Sequence, residues 1–122
     1  MVYFKQIIVF AKERDKMTKH HNKLVRDKIP EIIEKAGKTA YTHILSEEEY
    51  IAELDKKLGE EFAEYQADKN VEELADMLEV MYAIVEARGY SVEELDAVRM
   101  EKAQKRGAFE RRIFLERVDD NE

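Results

Sequence analysis

The residues best able to do chemistry lie in one stretch, EEFAEYQADKNVEELAD, from Glu60 to Asp76. Glu61 and Glu64 are spaced i, i+3, and so are Glu73 and Asp76. On a helix, each pair presents both carboxylates on one face. Between the pairs, Asp68-Lys69-Asn70 breaks the apolar period and reads as a turn. The stretch therefore reads as an antiparallel helical hairpin. Position numbers at one level of such a hairpin have a nearly constant sum, which sets Glu61 level with Asp76 and Glu64 level with Glu73. Two rungs of acids then face each other, about 4.5 Å apart along the axis. Carboxylates that close repel, and a hard cation such as Mg²⁺, with Mn²⁺ as the alternative, turns the repulsion into binding. A solvated acidic face is the plain alternative. Glu73 has a further one, because with Asn70 as N-cap it completes an N-x-x-E box. Two points favour the metal. The rungs match in level, and the pairs border apolar stripes, where unpaired charge is costly.

Other chemistries lack candidates. There is no G-x-x-x-x-G-K-[ST] or G-x-G-x-x-G phosphate loop. With no Cys, there is neither a thiol nucleophile nor a disulfide frame. His20, His21 and His43 lack metal-ligand spacing, and Ser46 and Ser91 are explained by helix capping.

The elements that must position the acids follow from caps and periodicity. Ser46 with Glu49 is an S-x-x-E box opening a helix over about 47–67, with an apolar stripe of Tyr50, Ile51, Leu54, Leu58, Phe62 and Tyr65. Glu61 and Glu64 flank that stripe. A second helix spans about 71–88, with Leu74, Met77, Leu78, Met81, Ile84 and Val85 as its core face. Gly89 ends it, and Ser91 with Glu94 opens another that runs to about Arg106 before Gly107. Upstream, Pro30 suits a first helical turn and Gly37 a helix end, giving a short helix over 30–36 that buries Ile29, Ile32 and Ile33. Residues 39–45, TAYTHIL, and the tail FERRIFLERV read as short strands or loose packing. The segment VYFKQIIVF is a strand or a short helix; periodicity does not separate the two. Met17 is an alternative start, which would make residues 1–16 an N-terminal extension of a single domain spanning 1–122. The expected fold is all-α: a helical bundle built on the hairpin, with short strands confined to the N-terminal and C-terminal segments.

Charge is unevenly placed. Residues 1–46 carry ten Lys/Arg against five Asp/Glu, residues 47–96 four against seventeen, and residues 97–122 seven against six. An acidic centre flanked by basic segments argues against a nucleic-acid surface. It suits a metal centre with cations nearby for a phosphorylated ligand. Lys23, Arg26 and Lys28 either form a solvated basic loop or bring phosphate contacts over the hairpin. No apolar run is long enough to span a membrane, and no signal peptide is read at the N-terminus. A cytoplasmic setting is expected.

E-x-x-E followed by E-x-x-D across a hairpin resembles the all-α NTP pyrophosphohydrolase superfamily, which includes MazG and phosphoribosyl-ATP pyrophosphohydrolase. GEEFAEYQ and VEELADMLEVMYAI carry the likeness. NKLVRDKIPEIIEKAGK and KRGAFERRIFLE are similar to a subgroup of small MazG-like proteins, so the likeness covers roughly residues 22–116. It implies that Glu61, Glu64, Glu73 and Asp76 are catalytic and bind Mg²⁺, with Glu60 and Glu79 behind them. A water would then attack a nucleoside triphosphate in line, releasing pyrophosphate and a nucleoside monophosphate, as in nucleotide-pool house-cleaning. Lys102 and Arg106, on the matched KxxxRG segment, would contact phosphate, with Arg26 and Lys28 as further candidates. A homodimer or homotetramer is also implied. Phosphoribosyl-ATP hydrolysis in histidine synthesis is the second reading, and a non-catalytic helical interaction module the third.

Overall fold

The computed structural model describes residues 17–121. The expected reading of VYFKQIIVF falls outside that range. Among the described residues there are four helices and no strand: α1 (Ile29–Lys35), α2 (Glu47–Asp68), α3 (Val71–Ala87) and α4 (Val92–Arg106). The fold is all-α. Residues 39–45 are irregular, with Tyr41 and Ile44 exposed, and the segment after Gly107 forms no strand. Of the two readings of these segments, loose packing is the one found, because an alternating pattern becomes a strand only where a neighbouring strand can accept its hydrogen bonds.

Caps set the helix boundaries. The Ser46 hydroxyl accepts from the Glu49 N–H, and the Glu49 carboxylate accepts from the Ser46 N–H. Ser91 and Glu94 do the same at the start of α4. These bonds satisfy backbone donors that the first helical turn leaves unpaired. The short α1 begins with Pro30 in its first turn. It closes at Gly37, whose φ of 83° lets the Lys38 N–H reach back to the Ile33 carbonyl.

The hairpin of α2 and α3 is the central packing unit, and its connection is two residues long. Lys69 adopts the left-handed region, with φ 55°, and its N–H donates to the Tyr65 carbonyl. Its ammonium lies over the Tyr65 ring and donates to Gln66. Asn70 then caps α3 by accepting from the Glu73 N–H. At the far end of the hairpin, Arg88 pairs with Asp55 at 3.0 Å; both are exposed, so the pair contributes at most about 1 kcal/mol.

The interior of the hairpin is unusual in composition. On α2 the buried residues are Leu54, Lys57 and Glu61, and on α3 they are Glu73, Asp76 and Val80. Both sets follow the i, i+3, i+7 spacing of a helix face. Among the described residues the only buried hydrophobic side chains are Ile29, Leu54 and Val80. The apolar face expected to pack inward does so only in part: Leu54 is buried, whereas Phe62, Leu74 and Leu78 are exposed. The charged positions of α2 and α3 meet each other inside the hairpin, and part of the apolar stripe is left outside.

Candidate metal centre

Four charged side chains are buried in the hairpin. Glu61, Glu73 and Asp76 are 1%, 0% and 2% exposed, and Lys57 lies among them. Burying carboxylates this completely is costly unless each is compensated. Their oxygens fall into two overlapping groups. One oxygen each of Glu61, Glu73 and Asp76 lie within 4.8 Å of one another, and so do one each of Glu64, Asp68 and Glu73. Glu73 belongs to both. The first group contains the expected Glu61–Asp76 rung and the second the expected Glu64–Glu73 rung, so the hairpin brings all four acids together.

Among the described residues, two cations compensate part of this charge. The Arg26 guanidinium donates to Asp76 Oδ1 at 2.8 Å, across fifty residues of chain. Lys57 Nζ lies 3.8 Å from Glu61 Oε1 and 4.0 Å from Glu60 Oε2. Burial pushes the Lys57 ammonium below its ordinary value, while Glu61 and Glu60 pull it back up. Burial likewise raises the Glu61 carboxyl; the Lys57 charge opposes this, and Asp76, Glu73 and Glu64 reinforce it. Glu73 is raised by burial first, and the charges of Asp76, Asp68 and Glu64 add to the rise. Compensation by the cations is incomplete, since Glu61 Oε2 and Asp76 Oδ2 are buried with no hydrogen-bond partner among the described residues.

The donor set fits a hard divalent cation. It consists wholly of carboxylate oxygens from rigid helical positions, with two buried oxygens left to satisfy. The other expected residues divide. Glu60 sits beside Lys57, and Glu79 is exposed. Arg26 reaches the cluster, while Lys28 is exposed at the N-cap of α1. Lys102 and Arg106 are exposed on the last turns of α4 and form no ion pair with the acids among the described residues. The N-x-x-E box at α3 is only half formed. Asn70 caps Glu73, but the Glu73 side chain turns into the hairpin.

Two residues of the site escaped the sequence reading. Lys57 lies four residues before Glu61 and Asp68 four after Glu64. The i, i+4 spacing was the available signal, but it is also the ordinary spacing of surface charge pairs. Asp68 was read as part of the turn, whereas it is the last residue of α2.

No protein-family model matches the chain, and no solved structure does. An uncharacterized protein of Mycolicibacterium smegmatis is 54% identical over 44 residues, which is 36% of this chain and 45% of that protein. The chain thus spans less than half the length of the relative it matches. Among the described residues, no helix is long and apolar enough to cross a membrane.

Proposed function

We propose that this chain is a Mg²⁺-dependent nucleoside triphosphate pyrophosphohydrolase of the MazG-like type, with Mn²⁺ as an alternative ion, releasing pyrophosphate and a nucleoside monophosphate. The observation that carries the reading is the group of three buried carboxylates, Glu61, Glu73 and Asp76, two of which retain an unsatisfied oxygen. The choice of bond rests on the resemblance of the acid motif and its flanking segments. Glu61, Glu73 and Asp76 would hold the ion, with Glu64 at the outer group. A bound Mg²⁺ would neutralise phosphate oxygens and lower the pKa of a water. Glu64, half-buried beside Asp68 and Glu73, would accept a proton from the attacking water. Arg26, at the rim, suits phosphate oxygens because its planar fork can bind two at once. Lys102 and Arg106 would serve if a second copy brings α4 to the cluster.

The exposed Phe62, Leu74 and Leu78 support assembly into a homodimer or homotetramer, since the described residues bury so few apolar side chains. The absence of Cys and a nucleotide substrate suit the cytoplasm. The test is a panel of nucleoside triphosphates and phosphoribosyl-ATP, incubated with Mg²⁺ or with chelator, with the products separated by anion exchange. Mg²⁺-dependent pyrophosphate and monophosphate are expected from a nucleoside triphosphate. Nucleoside diphosphate with orthophosphate would refute the choice of bond, and no turnover of any substrate would leave the interaction-module reading standing.

A further inference from the structure

We propose that Arg26 is a positioning residue that exchanges partners: it holds Asp76 while the hairpin is metal-free and passes to a phosphate of the nucleotide once a divalent cation takes Asp76. This rests on the metal reading above and adds an order to the two binding events.

Three observations carry it. The first is the bond itself. Arg26 donates to Asp76 Oδ1 at 2.8 Å, so it covers an oxygen of a carboxylate in the three-acid group. The second is the asymmetry of the pair. The Asp76 side chain is 3% exposed and that of Arg26 40%. The carboxylate is fixed in the interior, whereas the guanidinium sits at the rim with part of its surface in water. The third is where Arg26 comes from. It lies outside the hairpin, in the basic segment before α1, and so belongs to neither of the helices whose packing buries Asp76. Its bond to Asp76 brings this segment to the buried cluster. By contrast, Lys57 is itself buried within α2 and has no comparable freedom.

A guanidinium and a divalent cation compete for the same carboxylate, so each weakens the other's hold. When the ion is bound, Arg26 is released at the mouth of the site, where a triphosphate would arrive. Its five donors in a fixed fork match phosphate oxygens. A nucleotide that captures Arg26 removes the competitor and so tightens the ion, and linkage requires the ion to tighten the nucleotide by the same factor.

The test is Mn²⁺ binding to the full chain, read by electron paramagnetic resonance and so independent of turnover. Without nucleotide, Arg26→Ala is expected to bind Mn²⁺ at least about fivefold more tightly than wild type, the lower end of ordinary coupling between sites. Lys35→Ala, which removes the same charge from the exposed end of α1, is expected to stay within about twofold, as screening of a surface charge allows. With a non-hydrolysable triphosphate analogue, Mn²⁺ is expected to tighten in wild type and not in Arg26→Ala. Arg26→Gln, which keeps a hydrogen-bond donor for Asp76, serves if the alanine variant fails to fold, with the same direction expected. Equal or weaker Mn²⁺ binding by the Arg26 variant, or an undiminished nucleotide effect, overturns the exchange while leaving the metal site intact. Absence of Mn²⁺ binding by wild type overturns both.

Discussion

Replacing Glu61 by Gln tests whether the buried cluster is a strained metal site or a settled salt-bridge network. The Glu61 carboxylate has ligand-group oxygens of Glu73 and Asp76 within 4.8 Å and the Lys57 ammonium at 3.8 Å. At an effective dielectric near 20, each repulsion is worth roughly 3.5 kcal/mol and the attraction roughly 4 kcal/mol. Two repulsions outweigh one attraction, and Lys57 keeps Glu60 at 4.0 Å. Protonation, relaxation and solvent screening reduce the difference, leaving a gain on the order of 1 kcal/mol. In chelator, Glu61→Gln is therefore expected to melt a few degrees above wild type, about 2–8 °C per kcal/mol for domains of this general size. In excess Mg²⁺ the order reverses, because wild type gains from ion binding and the variant lacks a ligand. The assay is a pair of thermal melts for each protein at fixed ionic strength, one with chelator and one with Mg²⁺. A variant that melts several degrees below wild type in chelator would show that the Lys57–Glu61 attraction dominates and that the cluster is not strained. Equal Mg²⁺ gains in both proteins would remove Glu61 from the ligand set.

Further expectations follow from the same geometry. Glu61 and Glu73 are raised above their ordinary value of 4.5 in the folded chain, so the fold binds their protons more tightly than the unfolded chain does. Their contribution to stability is fully present below about pH 4.5 and is lost as pH rises through the folded values. Melts in chelator are expected to show that loss, and saturating Mg²⁺ at neutral pH is expected to cancel it; a pH-independent difference between the two series would count against the cluster. Glu49 behaves oppositely. It is lowered by its bonds to Ser46, and Ser46→Ala is expected to cost about 1 kcal/mol in denaturant titration, with Mg²⁺ affinity unchanged. Leu74→Asp, on the exposed apolar face of α3, is expected to lower the mass seen by sedimentation equilibrium. An unchanged mass would count against assembly through this face.

The helix boundaries were legible because local chemistry sets them. Ser46 with Glu49, Ser91 with Glu94, Pro30 and Gly37 act within one helical turn, and the helices begin or end there. The pairing of the acids was legible because the break around Lys69 and Asn70 implies a short antiparallel connection, in which the two acid pairs fall level with each other. The inward face was not legible. Periodicity identifies an apolar stripe but not what covers it, and here Leu54 of that stripe is buried while Phe62, Leu74 and Leu78 are left outside. Arg26 was legible as a basic residue able to reach over the hairpin, but its bond to Asp76 was not, because the fifty residues separating the two are bridged by tertiary structure alone.

The most direct test of the metal reading is crystallographic. Crystals grown with Mn²⁺ and measured near the manganese absorption edge would show the ion by its anomalous scattering. The expected result is a peak within about 2.5 Å of carboxylate oxygens of Glu61, Glu73 and Asp76, consistent with octahedral oxygen ligation at short range, with the Arg26 guanidinium withdrawn from Asp76. A hairpin interior without a peak, while Mn²⁺ binds only exposed acids, would contradict the account.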